Sequence, residues 1–338
     1  MTIRVLVVDD SAFARKVVRE VLTRAGMDVV GIARDGLEAL EKISELKPDV
    51  VTLDLVMPNL DGLGVLAALP AVEPPRVVVV SMAGEDSALG IAALHAGALG
   101  LVRKPTALAV DRLYDLADEL TAAVRTAAAA RAPRAAASPP PPLPLLVASA
   151  RHAVLVLGAS TGGPQALTRI IKALPRGFPL PAALVLHLPV GYTQPFAERL
   201  DRDSDVEVVE AAEGLEMIPG RVLVARAGLH LRLRRAGGTV RAVLDAAPAD
   251  TPHRPAVDVL FESAAEAYGG RVLAAVLTGM GNDGTRGARA IHAAGGTVLT
   301  EAEHSCVVYG MPRCVDEAGL SAGSFAIESM AGELLRRL

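Results

Sequence analysis

Ala153-Val154-Leu155-Val156-Leu157-Gly158-Ala159-Ser160-Thr161-Gly162-Gly163-Pro164 is the stretch on which the fold turns. An apolar run leads into a glycine-rich turn, and a helical pattern follows from Pro164 to Leu174. The glycines permit a tight backbone, and Pro164 suits a helix start because it lacks an N–H and has a preset φ. Ser160 is therefore expected near a helix N-terminus, where unpaired N–H groups and the helix dipole can stabilise an oxyanion beside its hydroxyl. The segment fits the nucleophile pattern G-x-S-x-G. A plain capping turn has the same composition, so partners elsewhere must decide whether the serine is chemical.

The same alternation continues outward. Ala183 to Leu186 reads as a strand ending on His187, a helix starts near Thr193, and less regular strands fall at 206–209, 221–225, 229–234 and 239–244. A helix over 256–267 precedes the buried strand Val272 to Leu277, which ends in Thr278-Gly279-Met280-Gly281-Asn282-Asp283-Gly284. A helix from Thr285 to Ala294, a strand at 297–299 and a C-terminal helix ending at Leu338 complete this half. Such a pattern predicts a doubly wound, mostly parallel α/β sheet covered on both faces. Ligands of these sheets bind at the carboxyl ends of strands, and Ser160, His187 and Asp283 all stand at such ends. A serine needs a base to take its proton, and the base needs a carboxylate to fix its tautomer. His230, His253, His292 and His304 are rival bases; His187 is preferred because it ends the next apolar strand. The order Ser…His…Asp differs from that of α/β-hydrolases. No Lys-Ser/Thr follows Gly163 and G-x-G-x-x-G spacing is absent, which argues against nucleotide binding.

The first half has its own cycle: strands at 3–8, 29–33, 50–53, 77–80 and 99–102, and helices at 12–25, 37–46, 87–97 and 108–126. This predicts a five-stranded parallel sheet. Its strand ends carry Asp9 and Asp10, Asp54, Ser81 and Lys104. Three carboxylates on one edge repel unless a hard cation sits among them, and oxygen ligands suit Mg²⁺. The arrangement reads as a carboxylate that accepts a phosphoryl group through positioning and charge neutralisation.

Composition bounds the rest. The 338 residues suggest two domains. The net charge is -4, divided as -5 over residues 1–126 and -1 over 151–338, so neither half offers the basic face expected of a nucleic-acid binder. Arg226, Arg232, Arg234 and Arg235 form the one basic cluster; alternation with Leu231 and Leu233 makes it a solvated strand face. Two cysteines, Cys306 and Cys314, cannot build a four-ligand zinc site and are expected to be buried thiols. The N-terminus lacks a secretory pattern and no run reaches membrane-span length, so a cytoplasmic protein without membrane insertion is expected. Residues 127–150, with Pro139 to Pro142, read as an Ala/Pro-rich linker between domains at 1–126 and 151–338.

Val7-Val8-Asp9-Asp10-Ser11, Leu53-Asp54, Met57-Pro58, Asp61-Gly62 and Lys104-Pro105 resemble the receiver domain of two-component response regulators, a flavodoxin-like fold. The resemblance implies Asp54 as phospho-acceptor, Asp9, Asp10 and Asp54 around Mg²⁺, Ser81 and Lys104 on the phosphate, a cis Lys104–Pro105 bond, and a histidine kinase as phosphodonor. Leu101 stands where receivers often carry a switch aromatic. Gly158 to Pro164, His253-Arg254-Pro255-Ala256-Val257-Asp258-Val259-Leu260-Phe261, Leu277 to Gly284 and Val307-Val308-Tyr309-Gly310-Met311-Pro312 resemble the chemotaxis protein-glutamate methylesterases, the CheB family. That implies Ser160 as nucleophile, His187 as base, Asp283 as orienting carboxylate and Thr161 and Met280 beside the oxyanion. Methyl-accepting chemoreceptors are then the substrate, and no cofactor is expected for the ester hydrolysis. Ala256 stands where the family often has serine, and Leu188-Pro189 where methionine is common. A transcriptional regulator would need a basic helix-turn-helix, which the sequence lacks, and a module with an idle hydrolase site is the remaining alternative.

Overall fold

The computed structural model describes residues 2–70, 73–81, 87–104, 111–130, 151–248 and 250–338. The chain divides between Ala132 and Pro133 into two compact units.

The first unit alternates β1 (Arg4–Val8), α1 (Ala12–Arg24), β2 (Asp28–Ala33), α2 (Gly36–Leu46), β3 (Val50–Leu53), α3 (Gly62–Ala68), β4 (Arg76–Ser81), α4 (Ser87–His95), β5 (Gly100–Arg103) and α5 (Asp111–Ala129). Its sheet is parallel throughout, in the order β2-β1-β3-β4-β5. The connections reverse direction at the β1–β3 pair, and this switch point brings Asp9, Asp10 and Asp54 to one edge. Side chains fix the helix starts: Ser11 accepts the Ala14 N–H, Asp35 that of Glu38 and Asp61 that of Gly64, each stabilising by about 1 kcal/mol.

Two boundaries differ from the sequence reading. Each of the five strands is expected to precede a helix, but the one after the third strand has no bounds in the sequence reading; it forms as α3, whose Gly62-Leu-Gly-Val-Leu-Ala-Ala has no polar face to mark a helical period. The last helix, expected to stop at 126, continues to Ala129, because alanine is the best helix former, Ala127 is buried, and the Arg76 guanidinium donates to Ala130 O at 3.2 Å. The expected linker thus starts inside α5, and its residues 131–150 lie outside the described residues, as does Pro105 of the expected cis bond.

The second unit runs β6 (Val154–Ala159), α6 (Gly163–Lys172), β7 (Ala182–Leu186), α7 (Thr193–Asp203), β8 (Glu207–Glu210), β9 (Arg221–Val224), β10 (His230–Ala236), β11 (Thr239–Asp245), α8 (Val257–Tyr268), β12 (Val272–Val276), α9 (Thr285–Ala293), β13 (Thr297–Glu301), α10 (Met311–Glu317), β14 (Ser324–Phe325) and α11 (Ile327–Leu335). Seven strands form one parallel sheet in the order β14-β13-β12-β6-β7-β9-β8, with β6 at its centre. Strand alternation sorts the core: Val154 and Val156 join Val257, Leu260 and Phe261 of α8 in one apolar cluster.

The four less regular strands separate in space. β8 and β9 extend the sheet, whereas β10 and β11 form an antiparallel hairpin apart from it, with Leu231, Leu233, Val240 and Ala242 packed into the α8 cluster. Of the basic cluster, Arg232 and Arg234 lie on the hairpin's outer side. Arg235 turns back to donate to Ala267 O at 2.7 Å and sits 5.8 Å over the Tyr268 ring, and Arg226 lies beyond β9, outside any strand. The short α10 and β14 were absent from the sequence reading. The expectation of two buried thiols holds for Cys306 only; Cys314 is partly exposed, its Sγ 3.6 Å from Gly281 O.

Candidate active site

β6 runs two residues past its apolar run, so the turn contracts to Ser160, Thr161 and Gly162. Gly162 has φ of +79°, the left-handed region that glycine occupies without steric cost. Gly158 is required for another reason: a Cβ there would lie 2.3 Å from Val257 Cγ1, so glycine lets the start of α8 approach the end of β6. Ser160 itself is partly exposed. Its N–H donates to Thr278 O at 3.0 Å, which commits that amide to the neighbouring strand. Thr161, expected beside an oxyanion, follows Ser160 in the same turn, and Met280, expected there too, is 53 % exposed on the loop after β12.

Thr278 ties this edge together. Its Oγ1 donates to Thr161 O (2.9 Å) and accepts the Val308 N–H (3.0 Å), while its own N–H donates to Glu301 Oε2 (2.9 Å). Glu301 is buried at the end of β13, accepts Ser305 Oγ on its other oxygen (3.0 Å), and is pushed by burial up to about 7. Neither residue stood out on its own in the sequence, because one threonine and one glutamate at strand ends carry no pattern.

β7 and β12 flank β6 on either side and deliver His187 and Asp283. His187 Nε2 is 2.8 Å from Asp283 Oδ2, and the same carboxylate accepts the Val257 and Asp258 N–H groups, each at 2.8 Å. Burial would raise the Asp283 pKa, but the His187 hydrogen bond and these two amides outweigh it and hold the carboxyl below its usual value. A carboxylate on Nε2 selects the Nε2–H tautomer and leaves Nδ1 as the acceptor. Nδ1 is buried and has no hydrogen-bond partner among the described residues, Ser160 Oγ included.

Of the rival histidines, one lies against His187 and the other three fall elsewhere. His253 stacks on His187 at 4.0 Å between ring centroids; partial burial and the adjacent His187 push its pKa down, which makes it a neutral packing partner. His230 is fully buried, accepts the Ala256 N–H on Nδ1 (3.2 Å) and reaches Pro248 O with Nε2 (3.1 Å). His292 ends α9 and His304 sits in a turn, both exposed.

In the first unit, oxygens of Asp9, Asp10 and Asp54 all lie within 4.8 Å of one another. Lys104 Nζ is 2.7 Å from both Asp9 Oδ2 and Asp54 Oδ2. Burial raises the Asp54 pKa against the opposing pull of Lys104; burial would lower that of Lys104, but the two carboxylates raise it. One ammonium leaves three convergent carboxylates under-neutralised, a donor set that fits a hard divalent cation. Ser81 is fully buried at the end of β4, where its carbonyl accepts the Lys104 N–H (2.8 Å), and Leu101 is buried in β5.

The family model of the response regulator receiver domain matches residues 5–116, and that of the CheB methylesterase matches residues 155–334. Protein-glutamate methylesterase/protein-glutamine glutaminase 5 of Myxococcus xanthus is 61% identical, covering 99% of this chain and 97% of its own. The protein-glutamate methylesterase/protein-glutamine glutaminase of Thermotoga maritima is 43% identical, covering 94% and 93%. The crystal structure of the Thermotoga maritima CheB methylesterase catalytic domain is 41% identical over 55% of this chain and 99% of its own, with a TM-score of 0.54. Two matched domains in tandem and identity along nearly the whole length mean that the chain belongs to the CheB methylesterase family, with a response regulator receiver domain ahead of the methylesterase domain.

Proposed function

We propose that the chain is a serine protein-glutamate methylesterase and protein-glutamine glutaminase that acts on chemoreceptors and is activated by phosphorylation of Asp54. The observation that carries the reading is His187, whose Nε2 is committed to Asp283 at 2.8 Å while its buried Nδ1 has no partner among the described residues. A base held in one tautomer, on the strand next to that of Ser160, is what a serine nucleophile needs.

Ser160 Oγ attacks the carbonyl carbon of a glutamyl γ-methyl ester as its proton passes to His187 Nδ1. Asp283 stabilises the imidazolium, and amides near Thr161 and Met280 each stabilise the oxyanion by about 3 kcal/mol. On collapse the C–O bond to the methoxy group breaks, the proton returns from His187, and methanol leaves. Water then gives a proton to His187 and attacks the acyl-enzyme, releasing Ser160 and a glutamate carboxylate. With a glutamine side chain the leaving group is ammonia.

In the receiver, Asp9, Asp10 and Asp54 would hold Mg²⁺, which would neutralise charge around the incoming phosphoryl group. Asp54 accepts that group from a histidine kinase, and Lys104 and Ser81 contact its oxygens. Replacing Ser160 by Ala tests the reading: methanol release from methylated receptor falls to background while Asp54 still takes up phosphate from a phosphodonor. Esterase activity that persists in this variant overturns it.

A further inference from the structure

Two helix N-termini meet beside the catalytic edge, and neither is capped by its own residues. α8 follows Ala256 and α9 follows Gly284, positions with no side-chain oxygen to accept an amide. Each cap comes from the other helix. Asp283, just ahead of α9, accepts the first two amides of α8, those of Val257 and Asp258, at 2.8 Å each. Asp258, in the first turn of α8, accepts the Gly287 N–H of α9 at 2.8 Å. The exchange is reciprocal, so moving one carboxylate releases donors from the other.

The consequence for the site lies in Asp283, whose Oδ2 also holds His187. Its backbone belongs to the turn leading into α9, and the Asp258 bond to the Gly287 N–H pins the first turn of that helix directly behind it. We propose that Asp258 is a positioning residue for the ester hydrolysis: by capping α9 it sets the 282–284 turn so that Asp283 meets the His187 N–H. This rests on the reading of Ser160, His187 and Asp283 as the catalytic set. The other groups facing the pair are His253, stacked on His187, and Arg286, whose Nε is 4.0 Å from Asp258 Oδ2 but 2.5 Å from Glu262.

The test uses the full-length protein with saturating phosphodonor and methylated receptor, and compares Asp258→Ala, Asp258→Asn and Ser160→Ala. Asp258→Ala should lower kcat by about 10- to 100-fold with KM within about 2-fold, as expected for a misplaced catalytic group. The acid limb of its kcat/KM profile should move down by about one pH unit, because an imidazolium that has lost its carboxylate forms less readily. Asp258→Asn keeps an oxygen acceptor for Gly287 and should retain kcat within about 3-fold and the original limb. If Asp258→Ala does not fold, Asp258→Glu, whose carboxylate is displaced by a methylene, takes its place with the same expected change of profile.

The proposal is overturned by three outcomes: a wild-type kcat in the Ala or Glu variant, an Asn variant as impaired as Ala, or a loss that only tracks the fraction of Ser160 labelled by a serine-directed phosphonate with the acid limb unmoved. Activity persisting in Ser160→Ala would instead remove the catalytic reading itself, so the two failures are distinguishable.

Discussion

At the scale of single residues, Glu301 shows how a buried ionisable group supports the Ser160 turn at a cost to stability. Its carboxyl holds the Thr278 N–H, and Thr278 in turn holds Ser160 and Thr161. The folded carboxyl keeps its proton up to about 7, whereas an unfolded glutamate releases it near 4.5. Between these values the folded state binds more protons, so stability falls as pH rises through this window. Glu301→Gln keeps an oxygen for Thr278 and removes the charge. It should raise the melting temperature at pH 8, by stabilisation on the order of 2–3 kcal/mol, and flatten the dependence between pH 4.5 and 7. Thermal unfolding of the two proteins across that range decides the point; a lower melting temperature for the variant at pH 8 would contradict it. None of this is readable from sequence, because the value follows from enclosure by β12, β13 and the turn at Ser305.

At the scale of elements, the approach of α8 to β6 decides the geometry. Val257 begins α8, donates its N–H to Asp283, and lies where a side chain on Gly158 would have to go. Gly158→Ala should push the first turn of α8 off the sheet, cost about 1–3 kcal/mol and depress kcat. Val257→Ala in the same chain should restore part of both losses, because it vacates the space the new methyl needs. Urea unfolding and methanol release on the two single variants and the double variant provide the check; strictly additive losses would show that this contact does not set the helix position. The sequence offered Gly158 as one more turn glycine. Its actual place inside β6, and the reason it must be glycine, depend on a helix that starts a hundred residues later.

At the scale of the whole molecule, two sheets each gather their polar strand ends at a switch in chain direction, one around Asp54 and the other around Ser160. If the charge on Asp54 controls turnover, chelating divalent cations should abolish the response of methanol release to a small phosphodonor and leave basal turnover unchanged. Asp54→Asn should give the same unresponsive basal rate, and a phosphodonor response surviving either change would sink that control. The sequence by itself determined the alternation of strands and helices, the presence of two α/β halves, and the places of Asp9, Asp54, Ser160 and His187 just past their strands, with Asp283 in the loop that follows β12. Those follow from local periodicity and turn chemistry, which a linear reading captures. Only the tertiary structure decided that α3 forms without a polar face, that β10 and β11 leave the sheet, which nitrogen of His187 faces a carboxylate, and that Asp258 and Asp283 cap each other's helices. These depend on which groups compete for the same space and the same hydrogen bonds, and residues far apart in the chain settle that competition only once packed together.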